Sequence, residues 1–375
     1  MYQCVLNYTI NKSILLGKGG FGSVYLAQNE LNQEYACKII SLQSSQNNYK
    51  KLKQLVDREL SIMSTLDNQN IVKMAHSYFD GKNIYIFMEY CNGGNLKKKI
   101  RELQSIYPCP KFYQQKYEKL AQEVFWDIID SLNYLYSKNI IHRDIKLENV
   151  LIHNGKYKLS DFGLSKFLSD IDEEPMSSIL GTPCYQSPQL LRQQVYSPKT
   201  DIWSLGVLLY ELLKGGELPF RGFNTQDLLK DIENKLKTNY IQNQLLSVEN
   251  KLLQYLVSKM LVIDEESRLS LKDLLLKVNQ FRINAQLMQK ENITATETRC
   301  KPYRPEKITS KKPTNQIQEI NKKESIPLRF IQTYKEKKLE ATFISKILDD
   351  KLSSNILILL ALMLVIALMQ ISIRI

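Results

Sequence analysis

Apolar and polar positions alternate in short runs over the first part of the chain. Period-two runs bounded by turn residues predict strands at 14–16, 24–28, 34–40, 72–78 and 83–89. Between the third and fourth of these strands, Tyr49 to Leu66 carries apolar residues at helical spacing, which predicts one helix. The pattern therefore predicts a small antiparallel sheet with a single helix packed on it.

Helical periodicity dominates after the turn at Asn92, Gly93 and Gly94. Helices are predicted at 117–138, 201–214, 225–237 and 249–261, with a last helix from Ser270 to about Leu287. A small β-rich lobe thus precedes a larger α-helical lobe. We predict an α+β fold, with one folded domain over residues 8–283.

Residues 284–353 differ in composition from the predicted domain. Asn, Lys, Gln, Thr and Glu prevail there and the apolar periodicity fades, so we predict a disordered polar linker. This segment holds about half of the formal net charge of +12. Because the basicity belongs largely to the linker, no nucleic-acid partner is predicted.

A long apolar run follows the linker. Ile356 to Met369 comprises fourteen apolar residues, and continuation to Ile373 gives eighteen positions with two polar ones. A helix that crosses a bilayer needs about 17 to 25 residues. A buried terminal helix is the alternative, but a helix apolar on every face would need burial on every side.

Lysines lie just before this run, at Lys335, Lys337, Lys338, Lys346 and Lys351. Positive charges flanking a membrane helix favour the cytosolic side. We therefore predict a single-pass C-terminal transmembrane anchor at 354–373, with the preceding domain in the cytosol.

Cysteine and histidine usage argues against metal or disulfide scaffolds. The six cysteines include no C-x-x-C pair and only three histidines are present, so neither zinc nor a disulfide framework is predicted. Residues 1–10 lack a basic stretch followed by an apolar core, so no secretory signal peptide is expected. Reduced thiols of the cytosol fit this composition.

A glycine-rich loop is the first segment that suggests chemistry. Its residues are Gly17, Lys18, Gly19, Gly20, Phe21, Gly22, Ser23 and Val24, in the pattern G-x-G-x-x-G-x-V. Missing side chains let backbone amides approach phosphates closely. Taken alone, a glycine-rich hairpin without a ligand and a dinucleotide-binding loop remain alternatives. The predicted loop joins two strands instead of opening a helix, which disfavours the dinucleotide-binding loop.

A lysine and a glutamate follow this loop in an informative order. Lys38 ends an apolar strand sixteen positions after Gly22, and Glu59 falls on the amphipathic helix that comes next. An ion pair between them would direct the lysine toward bound phosphates. A lone lysine is more often a solvated surface charge, but this order of loop, lysine and glutamate favours the pair.

Acidic, amide and cationic side chains are concentrated further along the chain. His142-Arg143-Asp144-Ile145-Lys146-Leu147-Glu148-Asn149 is followed twelve residues later by Asp161-Phe162-Gly163. With the glycine-rich loop upstream, these motifs match the signature of protein kinases. Residues 8 to about 281 thus resemble a eukaryotic protein kinase domain with its bilobal fold. With a lysine, Lys146, two residues after Asp144, this loop resembles that of the serine/threonine branch.

The resemblance implies roles for the catalytic residues and the use of ATP and Mg²⁺ as cofactors. Asp144 is expected to orient the substrate hydroxyl and accept its proton, while Lys146 contacts the transferred phosphoryl group. Asn149 and Asp161 are expected to hold magnesium. Such an enzyme would act on protein substrates, with ATP as the phosphoryl donor.

The same resemblance implies a nucleotide site. Met88 takes the gatekeeper position, and Glu89 and Cys91 supply hinge backbone contacts. The adenine is enclosed by Val24, Ala36 and Leu151, and Asn95 lies at the same site. Each of these apolar residues is equally suited to a plain core. Asn95 and Glu148 also line the region that, in relatives, meets substrate residues before the phosphoacceptor.

The chain departs from the family motif after the activation segment. Ser187-Pro188-Gln189 stands where Ala-Pro-Glu is usual, so a neutral amide replaces the carboxylate expected to pair with Arg268. We expect a hydrogen bond in place of that ion pair. Asp201, in a helical run, is expected to support the catalytic loop.

Arg143 suggests regulation by phosphorylation. In similar kinases this arginine binds a phosphate on the activation segment, where Ser178 and its neighbour Ser177 are the candidates here. Ordinary solvated serines are the alternative.

Two other function classes remain open. A membrane-tethered pseudokinase or scaffold would keep the fold and lose catalytic residues, yet the catalytic set is complete and only Gln189 is irregular. A small-molecule kinase would seldom keep the segment Gly181-Thr182-Pro183 together with a long helix at Asp201. Both alternatives are less consistent with the sequence than an active protein kinase.

Overall fold

The computed structural model describes residues 1–19, 22–42, 49–109, 113–170 and 182–281. Gly20, Phe21, Ser177 and Ser178 lie outside the described residues, as do the predicted linker and membrane anchor. Among the helices in the described ranges, none combines the length and apolar character needed to cross a membrane.

The first lobe is built on a six-stranded antiparallel sheet with the order β1-β2-β3-β4-β6-β5. The strands are β1 (Tyr2–Val5), β2 (Tyr8–Gly19), β3 (Gly22–Asn29), β4 (Glu34–Ser41), β5 (Met74–Phe79) and β6 (Asn83–Glu89). Helix α1 (Tyr49–Ser64) packs on this sheet, because its buried residues Val56, Ile62 and Met63 share one apolar core with the sheet. The predicted sheet with one helix is therefore confirmed.

Strand β1 was not predicted from the sequence. Its apolar alternation is weak, since Val5 is its one buried residue. The strand is held by pairing with β2 and by Gln3, whose Nε2 donates to the Tyr85 hydroxyl at 2.9 Å. Tyr8 stacks on Phe87 with ring centroids 3.9 Å apart. Val5, Tyr8 and Phe87 thus belong to a second, smaller apolar core of the first lobe.

The second lobe is mainly helical. Its helices are α2 (Leu96–Ile106), α3 (Gln114–Ser137), α4 (Pro188–Leu191), α5 (Lys199–Leu213), α6 (Thr225–Lys237), α7 (Tyr240–Gln244) and α8 (Lys251–Met260). The described residues end in a further helical segment, 271–281. Helix α5 is buried from Thr200 to Leu213 and packs against α3 and α8. The predicted α+β order, with a β-rich lobe before a helical lobe, is confirmed.

Two short antiparallel strand pairs hold the ends of the segment that carries the His-Arg-Asp motif. Strand β7 (Ile140–Ile141) pairs with β10 (Lys166–Phe167), and β8 (Val150–His153) pairs with β9 (Lys156–Leu159). Because residues 142–149 leave β7 and enter β8, both ends of this loop are fixed by strand pairing. The loop can therefore hold its side chains in a defined arrangement.

Candidate active site

Strand register brings four predicted nucleotide residues onto one face of the sheet. Val24 pairs directly with Lys38, and Ala36 pairs directly with Met88. Paired residues, and alternate residues along a strand, project from the same face. One face of the sheet therefore carries Val24, Ala36, Lys38 and Met88.

Lys38 joins the two lobes through its ammonium group. Its Nζ lies 2.6 Å from Glu59 Oε1 and 3.3 Å from Asp161 Oδ1. Burial lowers the pKa of Lys38, but the two carboxylates outweigh this effect and raise the pKa above its ordinary value. The predicted pair between Lys38 and Glu59 is present, and Asp161 extends it to a triad.

Asp161 has an uncommon backbone and an open carboxylate. Its φ of +63° lies in the left-handed region, which non-glycine residues adopt mainly at constrained sites. Burial pushes the pKa of Asp161 upward, yet the nearby Lys38 ammonium lowers it below the usual range. The side chain is 42% exposed, so an ionised carboxylate faces the space between the lobes.

Asp144 is held by two neighbours in the catalytic loop. Its Oδ2 accepts hydrogen bonds from Lys146 Nζ at 2.7 Å and from Asn149 Nδ2 at 2.8 Å. Among the described residues, none donates to Oδ1 of Asp144. One oxygen therefore fixes the carboxylate, and the other can accept a hydrogen bond from a substrate hydroxyl.

The catalytic loop is anchored from beneath by Asp201. Its carboxylate accepts hydrogen bonds from the backbone N–H of His142 at 2.9 Å and of Arg143 at 2.8 Å. Asp201 has no exposed surface, and burial raises the pKa of its carboxyl group. The ring of Phe162 packs edge-on against His142, with centroids 5.1 Å apart. The predicted supporting role of Asp201 is thus present in the fold.

The segment between the lobes contains the predicted hinge residues. Glu89 directs its side chain to Lys158, at 2.9 Å, and its backbone N–H donates to the Lys73 carbonyl, also at 2.9 Å. The backbone carbonyl of Glu89 is therefore the group left for the predicted contact. The described residues offer no acceptor to the backbone N–H of Cys91. Asn95 forms an isolated bridge with Leu151, and its side-chain oxygen caps helix α2 by accepting from Lys98 N.

Two glycines in the described part of the glycine-rich loop leave open space. A Cβ atom added at Gly17 or Gly19 would meet nothing within 4 Å. Lys18 lies between them on β2 and pairs with Ser23. An approaching group can therefore reach this backbone without obstruction from side chains at the two glycines.

Magnesium fits the residues present. Asn149 uses its amide nitrogen twice, toward the Asp144 backbone oxygen and carboxylate, and its Oδ1 has no donor among the described residues. That oxygen and the Asp161 carboxylate are the hard donors that magnesium prefers, and one or two such groups suffice when phosphates supply the rest. No group of three or more His, Cys, Asp or Glu residues in the described ranges is placed to hold a metal alone.

Sequence reasoning missed one polar contact of the catalytic loop. Lys146 Nζ, which contacts Asp144, also donates to Thr182 Oγ1 at 3.2 Å. Thr182 belongs to the segment Gly181-Thr182-Pro183, which by sequence is already connected with the kinase family. Its membership of this segment could have indicated a contact with the catalytic loop. The contact ties the end of the activation segment to the catalytic loop.

Comparison with known proteins agrees with this geometry. The family model described as "Protein kinase domain" matches residues 10–278. A Caenorhabditis briggsae "Aurora/IPL1-related protein kinase 2" is 33% identical over 262 residues, which cover 69% of this chain and 79% of the relative.

Two further relatives are longer proteins. "Calcium-dependent protein kinase 3" of Plasmodium yoelii yoelii is 34% identical over 267 residues, 69% of this chain and 46% of the relative. "Serine/threonine-protein kinase PEPKR2" of Arabidopsis thaliana is 32% identical over 272 residues, 72% of this chain and 52% of the relative. The chain thus spans about half the length of these two relatives. By this family match and the lysine-glutamate-aspartate triad, the chain belongs to the protein kinase family and is a serine/threonine kinase.

Proposed function

We propose that this chain transfers the γ-phosphoryl group of ATP to serine or threonine hydroxyls of proteins, with Asp144 as the group that receives the hydroxyl proton. The observation that carries this assignment is the asymmetry of the Asp144 carboxylate: Lys146 and Asn149 hold its Oδ2, while no group in the described part of the chain donates to its Oδ1. A hydroxyl donating to Oδ1 would be oriented for attack and would pass its proton there as the new bond forms.

The remaining residues position and neutralise charge. Lys38, fixed by Glu59, would bind phosphate oxygens, and Lys146 would neutralise charge on the transferred group. Magnesium, when bound with ATP, supplies charge neutralisation between the phosphates, and Asn149 and Asp161 are the residues that would hold it. Phosphoryl transfer needs positioning and charge more than covalent chemistry by the protein, and these groups supply both.

The adenine would lie against the sheet face that carries Val24, Ala36 and Met88, with Leu151 on the other side. The proposed hydrogen-bonding groups of the hinge are the backbone carbonyl of Glu89 and the backbone N–H of Cys91, which has no acceptor among the described residues. The proposed loop contacts are made by Gly17, Lys18, Gly19, Gly20, Phe21 and Gly22. Asn95 completes the proposed site next to Leu151.

The test is phosphate incorporation into a generic acceptor protein from ATP labelled at the γ-phosphate, with magnesium. We expect Asp144→Asn to lower incorporation by about a thousandfold, the scale of general-base contributions. Acid hydrolysis of the product should release phosphoserine or phosphothreonine. Equal incorporation by the wild type and Asp144→Asn would instead favour a scaffold, and phosphotyrosine alone would contradict the hydroxyl preference.

We further propose that the kinase domain, over residues 8–283, is tethered to a membrane by residues 354–373 through the linker 284–353. Support comes from the fourteen-residue apolar run, which extends to eighteen positions with two polar ones, and from the lysines before it. Alkaline carbonate extraction of membranes is the measurement. Retention of the full chain in the pellet, with release of a chain that ends at Ser354, is expected. Release of both would end this proposal.

A further inference from the structure

A buried carboxylate that the proposed mechanism does not use lies near the catalytic loop. Glu211, on α5, has no exposed surface, and its Oε2 accepts a hydrogen bond from the Tyr185 hydroxyl. Lys97, on α2, places its Nζ 3.3 Å from Glu211 Oε1 and 3.6 Å from Glu148 Oε1. One lysine of α2 therefore bridges two carboxylates from different segments.

Both carboxylates are linked to the catalytic loop, Glu148 as part of it and Glu211 through a hydrogen bond from Tyr185. Glu148 directly precedes Asn149, which binds Asp144, in the short 3-10 turn Leu147–Asn149. Glu211 is linked to the catalytic loop through Tyr185, the last residue of the 3-10 turn Pro183–Tyr185. Thr182, the residue just before this turn, accepts a hydrogen bond from Lys146. An extended peptide advances about 3.3 Å per residue. A substrate with its hydroxyl at Asp144 thus presents side chains a few residues away to this cluster.

The charges of the cluster define what it can accept. Two carboxylates share one ammonium, and Glu148 Oε2 is buried without any hydrogen-bond partner among the described residues. Burial raises the pKa of Glu211, while Tyr185 and Lys97 act in the opposite direction. A cationic side chain is the natural partner of such a pair. Lys97 already takes that position from within the chain.

We propose that Lys97 is a specificity-determining residue that fills the cation position between Glu148 and Glu211. The wild-type enzyme then gains little from an arginine or lysine flanking the phosphoacceptor, because the chain supplies the charge itself. This inference rests on the proposed kinase function.

The experiment uses the full chain and a positional peptide library around a serine, with Arg, Gln or Glu fixed at each flanking position. The quantity compared is the ratio of kcat/KM for Arg peptides to that for Gln peptides. We expect a ratio near one for the wild type and a rise of about five- to tenfold at one position in Lys97→Ala, which is the range for a partly shielded ion pair. The change should lie in KM, since the contact forms on binding.

Matched variants separate this role from a structural one. Lys97→Arg keeps the cation and should keep the wild-type ratio, while Lys98→Ala removes an adjacent exposed lysine and should change nothing. Adding Glu148→Gln to Lys97→Ala should cancel the gained preference. An unchanged ratio at every position in active Lys97→Ala, or an equal rise in Lys98→Ala, would overturn the inference.

Two outcomes need a second measurement. If Lys97→Ala loses its thermal unfolding transition, Glu211→Gln is the variant that tests the inference. Its amide oxygen can still accept a hydrogen bond from Tyr185. The kcat/KM ratio of Arg to Gln peptides should fall below the wild-type value. An unchanged ratio there would overturn the inference. Failure of the kinase proposal is recognised separately, because Asp144→Asn and the wild type would then incorporate equal phosphate.

Discussion

Arg268 donates a hydrogen bond from Nη2 to Gln189 Oε1 at 2.9 Å. The expected hydrogen bond thus replaces the family's usual ion pair. Gln189 also donates from Nε2 to the Ile263 carbonyl at 2.8 Å, a contact that a carboxylate cannot make. Glu265 Oε1, 3.9 Å from Arg268, is a distant charged partner. Burial lowers the pKa of Arg268 to about 10, with Glu265 opposing.

Gln189→Ala should destabilise the kinase domain by about 1 to 2 kcal/mol, because a buried guanidinium loses one acceptor while the Val262 and Lys199 carbonyls remain. The free energy of unfolding from urea titration is the measurement. Gln194→Ala, an exposed change on the same segment, is the control and should shift stability by less than about 0.5 kcal/mol. Equal stabilities of the two variants would contradict the role of Gln189.

Glu59→Gln should reduce turnover by about a hundredfold while leaving the fold intact. Burial raises the pKa of Glu59, so its charge carries a desolvation cost that an amide avoids, and the Gln oxygen can still accept a hydrogen bond from Lys38 Nζ. We therefore expect the melting temperature to fall far less than turnover. Lys38 would then keep only Asp161 as a charged partner. Turnover and melting temperature are measured on the same samples.

Asp57→Asn provides the control on the same helix. Asp57 pairs with Lys53 on the surface, with half of its side chain exposed, and such pairs contribute little. We expect neither turnover nor melting temperature to change measurably. Loss of stability in Glu59→Gln in proportion to its loss of turnover would indicate a structural role for Glu59.

The sequence predicted the features that follow from local periodicity and motif order. Helix α6 was predicted with its observed bounds, Thr225–Lys237, because apolar spacing and the Asn224 cap agree. Helix α2 was missed, although Asn95 caps it and Leu96 and Ile100 are buried, because its lysine run obscured that pattern. The bridge from Lys97 to Glu211 joins residues far apart in the chain. Only the folded arrangement of α2 and α5 brings them together.

Burial should protect the thiols of Cys37 and Cys91 from alkylation. It raises the pKa of each to about 12. Against the ordinary value of 9.0, the thiolate fraction at pH 8 falls by about a thousandfold. Iodoacetamide at pH 8 should label exposed Cys4 and neither buried thiol, with full labelling in denaturant. Peptide mass spectrometry is the measurement, and labelling of Cys37 at the rate of Cys4 would contradict its burial.

The same shifts give a direction for alkaline stability. Because the folded thiols hold their protons more tightly than the unfolded ones, their contribution is complete below about pH 9 and is lost as the pH rises toward 12. Cys37→Ala should therefore lose less stability than the wild type between these pH values. Parallel pH profiles of the two proteins would contradict this prediction.

The glycines of the loop should separate into those that serve the fold and those that serve the nucleotide. A Cβ at Gly22 would lie 2.2 Å from the Ile39 carbonyl oxygen, a backbone atom that cannot move without disturbing the pairing of β3 with β4. Gly22→Ala should therefore cost about 1 to 3 kcal/mol of unfolding free energy, as overpacking does.

Gly17→Ala and Gly19→Ala place their added Cβ atom where no other atom lies within 4 Å, so both variants should remain as stable as the wild type. If backbone amides at these two positions approach the phosphates of ATP, an added methyl group obstructs that approach, and the KM for ATP should rise without a change in melting temperature. Urea titration and initial rates at varied ATP distinguish the two classes. An unchanged KM for ATP in both stable variants would remove Gly17 and Gly19 from the nucleotide site. A Gly22→Ala variant as stable as the wild type would show that strand β4 can shift to accommodate the added Cβ atom.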